Sequence, residues 1–198
     1  GGIGEISFST AWCYLTKDGK VGILYNTYAT SDDYKEEDEH YYEEIKEEIS
    51  AWDDIVDISV SADHILGLKS DGTVVAAGNN DSGQCSVNDW NNIVMVSAGK
   101  GHSVGLNSEG KVLACGANGY GQTDVSEWKN IICVRAGGYG TLAINEDGRY
   151  YYQGNIEFKN VAKINDVDSD NSYALEDTQD IKKSSSIQNS SNGYKKCE

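Results

Sequence analysis

The chain has no proline, a single methionine and only two arginines, Arg135 and Arg149, among its 198 residues. The absence of proline is unusual, and nothing in the pattern accounts for it. Basic residues are scarce: 16 Lys and Arg stand against 32 Asp and Glu, a formal net charge of −16. A nucleic-acid binder needs a cationic surface to displace counterions from phosphates, so that class is excluded, and anionic membranes are disfavoured for the same reason. No apolar run approaches the roughly 20 residues that span a bilayer. No secretory leader is visible, although the chain starts at Gly1 and not at Met. The five cysteines, Cys13, Cys85, Cys115, Cys133 and Cys197, form no CxxC pair and are odd in number. Neither a zinc knuckle nor a complete disulfide framework is indicated, and they are read as buried, idle thiols.

What is abundant is turn and strand material: 22 Gly, 13 Tyr and 4 Trp, with 38% hydrophobic residues, enough for a real core. Residues 64–90, HILGLKSDGTVVAAGNNDSGQCSVNDW, and 102–128, HSVGLNSEGKVLACGANGYGQTDVSEW, agree without a gap at thirteen of twenty-seven positions. The period is thirty-eight: Trp52, Trp90 and Trp128 share it, as do Gly72, Gly110 and Gly148, and Gly78, Gly116 and Gly154. A first copy, ISFSTAWCYLTKDGKVGILY, and a decayed last one, FKNVAKINDVDSDNSYALEDTQDI, each align with one residue of slack. Within a copy, IVMVSAG is an apolar run ended by Gly, HSVGL alternates, NSEG is a turn and KVLACG alternates again. That is an antiparallel meander of three strands, with a short fourth expected before each Trp. One such sheet cannot cover its own faces, but radial neighbours bury one another. The expected fold is all-β: a propeller of about five repeats over residues 1–181, a partial or small ring. A helical insertion is expected at 31–50 of the first blade, and a disordered polar tail at 182–198.

The pattern W-x-x-I-V-x-V-S-A-G-x-x-H-S-V-G-L-x-S-x-G-x-V-x-A-x-G-x-N-x-x-G-Q resembles the regulator-of-chromosome-condensation repeat family, above all its short bacterial version. It is also similar to the β-lactamase inhibitory propeller proteins. The match is close over residues 52–155 and looser on either side. The resemblance implies a propeller, usually of seven blades, that recognises another protein through loops on one face. At the positions with which the inhibitory propellers present aromatics to an enzyme, this chain carries Trp12, Asp63, Lys100, Tyr120 and Tyr139.

Other motifs read as structural. His64 and His102 share one repeat position, where the third copy has Gly140 and the last Asn171. They are expected to bond local backbone. GANGYGQ and AGGYG lack the strand-before, helix-after setting of a phosphate loop. Asp166, Asp168, Asp170 and Asp177 fit positions one, three, five and twelve of a calcium loop, but Asn171 stands where the sharp turn needs Gly. The same residues align as the last repeat, which is the preferred reading. In SDDYKEEDEHYYEEIKEEIS, Tyr41, Ile45 and Ile49 recur at i, i+4, i+8, giving a helix at about 33–49 with Ser31 or Asp32 as cap. It docks on the first blade or offers an acidic site to a basic partner.

No nucleophile–base pair or metal cluster stands out, so the chain is read as non-enzymatic and without cofactor. The leading function is a protein-interaction module. Loops after the first and third strands share a face and differ most between copies: SAD, GKG and GGY, then NNDS and ANGY. The alternatives are nucleotide exchange on a small GTPase, as in the family's eukaryotic branch, and a truncated structural array with no partner. The sequence assigns no compartment.

Overall fold

A computed structural model describes residues 11–25, 36–155, 164–167, 172–175, 188–189 and 195–196. The repeat emerges as a row of antiparallel sheets. A two-stranded hairpin, β1 (Ala11–Leu15) and β2 (Val21–Tyr25), comes first. The helix α1 (Glu36–Ser50) follows. Two three-stranded meanders come next. One is β3 (Ile55–Val60), β4 (His64–Lys69) and β5 (Val74–Gly78); the other is β6 (Ile93–Gly99), β7 (His102–Asn107) and β8 (Val112–Gly116). A third meander is built from β9 (Ile131–Gly137), β10 (Tyr139–Asn145) and β11 (Tyr150–Asn155).

Two features depart from the sequence reading. The fourth strand before each Trp is absent: residues 79–92 and 117–130 run as turns. Buried side chains, Gln84 and Val87 in one copy and Gln122 and Val125 in the next, pin these segments instead of a ladder. The last copy makes no separate sheet. Its strands β12 (Ile164–Val167) and β13 (Ser172–Leu175) extend the third meander at its β11 edge, in the order β12-β13-β11-β10-β9. The third copy continues from Gly154 as Asn-Ile-Glu-Phe, without the Gly-Gln corner that starts a new blade in the other two. Of the calcium-loop residues, Asp166 lies in β12, while Asp168, Asp170 and Asp177 lie outside the described residues. In the tail, Gln188–Asn189 pairs with Lys195–Lys196, and the rest is outside the described residues.

Each meander turns on a Gly in the left-handed region. Gly110, at φ +76°, donates its N–H to Asn107 (3.1 Å), and its carbonyl accepts the Ile131 N–H of the next blade (3.0 Å). The same bond runs from Ile93 to Gly72 (2.9 Å) and from Ile55 to Gly19 (3.1 Å), so one turn both reverses a hairpin and ties two sheets.

Between the sheets lie the tryptophans. Trp90 packs with Leu66, Leu68 and Val74 of the blade before it and with Ile93 and Val96 of its own. Trp128 does the same between Val104, Leu106, Val112 and Val134, Ala143, and its ring lies 5.8 Å from that of Tyr151. Trp52 joins Val21 and Ile23 to Ile55 and Ile65, and the helix seals that seam with Ile45 and Ile49. The glycine in HILGL and HSVGL makes room for the indole. A Cβ at Gly105 would stand 2.7 Å from the Trp90 ring, and at Gly67 2.9 Å from Trp52.

Cys13, Cys85 and Cys115 are free and half-buried, and burial pushes their thiols up to about 11, 12 and 11, so they stay protonated near neutrality. Cys133 differs from expectation in being disulfide-bonded.

Trp90→Ala should therefore destabilise by roughly 3–5 kcal/mol, the range for large aromatic truncations in a core. Gly105→Val should cost about 1–3 kcal/mol by overpacking against the same ring. Urea midpoints of the two variants test both; coincidence with wild type would show that the indole does not fill the inter-blade gap.

Candidate interaction face

In each meander the first strand ends, the second begins and the third ends at the same edge: Gly99 pairs with His102, and His102 with Gly116. The loops that leave this edge are short and held by backbone bonds. Asn79 N donates to Asp63 O (2.9 Å) and Ala117 N to Gly101 O (2.7 Å) within blades; Lys100 N donates to Gly138 O (2.8 Å) across them. The corner carrying Tyr120 is fixed from inside. Buried Gln122 accepts the Tyr120 N–H at Oε1 (2.9 Å), and Asn118 Oδ1 accepts the Thr123 N–H (3.0 Å).

Three of the five residues singled out from the sequence come together here. Tyr120 and Tyr139, from adjacent blades, are 55% and 40% exposed, with ring centroids 5.4 Å apart and planes tilted by 57°. The Lys100 ammonium stands 5.2 Å from the Tyr139 centroid, a cation–π contact. Asp63 lies on the same edge but its carboxylate is engaged, accepting from Ser61 Oγ (2.7 Å), from Gln84 Nε2 (3.1 Å) and from the His64 ring (2.9 Å). Trp12 is the second residue of β1, in register with Leu24.

Beneath the face runs a polar relay that the sequence reading missed. His64 Nδ1 contacts Asp63 Oδ1 (2.9 Å), and Nε2 meets Ser103 Oγ of the next blade (2.7 Å). Ser103 Oγ in turn donates to Gln84 O (2.7 Å). The next seam repeats it with His102 Nε2, Thr141 Oγ1 (3.1 Å) and Gln122 O (2.7 Å). The histidine rings thus bond side chains across blades, in place of the local backbone bonds expected from the sequence. Asp63, His64 and Ser103 have the connectivity of a hydrolytic triad, yet His64 and Ser103 are fully buried and the serine hydrogen is given to a carbonyl. Its chemistry is that of a clamp. The signal was available: Ser103 and Thr141 follow the preceding His at thirty-nine residues, one more than the period.

Burial raises the Asp63 pKa, but bonds from His64, Ser61 and Gly101 outweigh it and hold the carboxyl at about 2, below its ordinary 3.8. Burial lowers that of His102, which stays neutral at pH 7. Both shifts make acid destabilising. The His102 contribution is present above 6.5 and fades as pH falls below it. That of Asp63 is present above 3.8 and lost toward 2, worth roughly 2 kcal/mol. Urea midpoints between pH 7 and pH 2 should fall in these two windows, and Asp63→Asn should flatten the lower one. An unchanged profile in that variant would show that the carboxylate does not anchor the relay.

Residues 55–84 and 93–122 match the Regulator of chromosome condensation (RCC1) repeat model. No curated protein matches the chain in sequence. Among solved structures, yeast RCC1 (Prp20) bound to Kap60 aligns with a TM-score of 0.54 at 21% identity, over 75% of this chain and 40% of that one. Prp20p from Saccharomyces cerevisiae gives 0.53 at 20%, over 84% and 48%. The ectodomain of the Physcomitrella patens receptor kinase CR4 gives 0.53 at 18%, over 73% and 39%. The chain spans less than half the length of these neighbours, and at such identities they share its fold. Two of the repeats thus match the regulator-of-chromosome-condensation repeat, and the stacked meanders share the β-propeller fold of these neighbours.

Proposed function

We propose that the chain is a non-enzymatic binding module that recognises another protein through its loop face. The observation that carries this reading is the Tyr120–Tyr139–Lys100 group: two exposed aromatics and a cation from three loops on two blades, with Tyr120 held by its own turn and Lys100 bonded to Gly138 of the next blade. Aromatics presented by rigid turns contribute contact area at small entropic cost and often dominate interfaces.

The two ends of the sheets also differ in charge. The turns at the opposite end carry Asp71, Glu109, Lys111, Glu146, Asp147 and Arg149, all exposed. The loop edge sets its tyrosines beside Lys100, and aromatic residues are enriched at interfaces. Lys100 and Asp63 tune charge complementarity and association rate. Partners named for the solved neighbours support a protein ligand: Kap60 for yeast RCC1, and Gsp1p and histones for Prp20p. Nucleic acid fits poorly with a net charge of −16. Among the described residues no helix is long and apolar enough to cross a membrane.

Tyr120→Ala with Tyr139→Ala should leave the thermal midpoint nearly unchanged and weaken a partner recovered by pull-down by more than tenfold, about 1.4 kcal/mol. Glu109→Ala, on the opposite turn, is the matched control. Asn107 is unsuited to that role, because its Oδ1 holds the turn through Glu109 N (3.0 Å) and Lys111 N (2.8 Å). Binding lost in the Glu109 variant and kept in the tyrosine variant would place recognition on the other edge.

A further inference from the structure

We propose that Cys85 and Cys115 are the two halves of a reversible disulfide, which staples the corner after β5 to β8 of the next meander. The repeat is an internal control on this pair. One period on, Cys85 becomes Thr123 and Cys115 becomes Gln153; one period back, Cys115 becomes Ala77. Two separate departures from the repeat thus place a thiol on each side of one seam. The next seam, with Thr123 and Gln153, has neither, and Ala77 removes one from the seam before.

The fold brings the two together at one carbonyl. Cys115 Sγ donates to Gln84 O at 3.6 Å, and Gln84 is bonded directly to Cys85. The corner backbone lies against β8 here: a Cβ added at Gly116 would stand 3.2 Å from Gln84 Cα. Cys85 Sγ is turned to Asn79 O, at 3.3 Å, and rotation of χ1 to another staggered well re-aims it. Both thiols are free and half-buried, within reach of a small oxidant. The other described cysteines do not compete. Cys13 belongs to the seam that the helix covers, and Cys133 is already disulfide-bonded.

Little is lost when the bond forms. A thiol is a weak donor, and Gln84 O keeps the stronger bond from Ser103 Oγ (2.7 Å). The closed loop contains β6 and β7, and a cross-link over such a loop restrains the unfolded chain more than a local one would. The chemistry balances with a small disulfide, such as oxidised glutathione, as the oxidant. One cysteine, as thiolate, attacks it and releases one glutathione; the other attacks the mixed disulfide and releases the second. The two thiol protons end on the two glutathiones, and the chain loses two electrons to them. Burial keeps both thiols protonated near neutrality, so the exchange is slow.

The test is to incubate the folded full chain with oxidised glutathione, block the remaining thiols and digest with trypsin. Peptides 70–100 and 112–129 each hold one cysteine. They should appear joined, exceeding their glutathione adducts by about tenfold or more, because the second step is intramolecular. The urea midpoint of the oxidised chain should rise. Cys85→Thr and Cys115→Ala, which copy the neighbouring repeats, should fold as wild type and show neither change. Separate glutathione adducts, or both thiols left free, would overturn the proposal. A joined pair whose midpoint fails to rise would mean that the bond forms only by distorting the seam. A rise that survives in either variant would come from another cysteine. Each of these results defeats the proposal as well.

Discussion

A polar group sealed between two sheets must find its partner on the neighbouring sheet, and the seams of this protein are arranged around that requirement. Ser59 Oγ accepts the Ala98 N–H and Ser97 Oγ the Ala136 N–H, both at 2.9 Å and both thirty-nine residues apart. The His64–Ser103 and His102–Thr141 bonds have the same span. Leaving such a donor or acceptor unpaired costs about 1–3 kcal/mol, so each sheet accepts its neighbour in one register only. Apolar burial around the tryptophans supplies the bulk of the attraction but is non-directional. The hydrogen bonds set the spacing and angle at which that burial occurs.

The architecture was legible because packing repeats at the level of single residues. Trp90 fits over Gly105 and Trp52 over Gly67, so indole and glycine recur with one period and betray the stacking before any coordinates. The hairpin turns were equally plain, since Gly72 and Gly110 stand where the chain requires positive φ. The helix was visible from Ile45 and Ile49, which alone of its described residues are buried.

What escaped the sequence reading were partners outside a copy. The corner before each Trp resembles a strand in composition, but Gln84 and Gln122 turn inward and satisfy it locally, so no ladder forms. The last copy kept strand-forming residues and lost the corner, and it therefore lengthened an existing sheet. Asp63 was singled out as a surface charge facing a partner. It lies at that edge, where most of its hydrogen-bonding capacity is spent on Ser61, His64 and Gln84. In the neighbouring copy Gly101 occupies that position, and His102 Nδ1 has no hydrogen-bond partner. Identical positions in successive blades thus differ in polar satisfaction, which a repeat alignment does not register.

The relay and the loop face are one construction. Gln122 receives Thr141 at its carbonyl and holds the Tyr120 N–H with its side chain, while Thr141 meets His102. The turn that presents Tyr120 is therefore bonded through two residues to the histidine of its own blade and, through Thr141, to the strand that begins at Tyr139. The two tyrosines belong to different sheets, yet their separation is fixed by the same buried bonds that fix the seam. Immobile aromatic side chains lose little entropy on contact. The geometry of this face is thus set by polar groups buried beneath it, and its loops can change in sequence while the seams stay as they are.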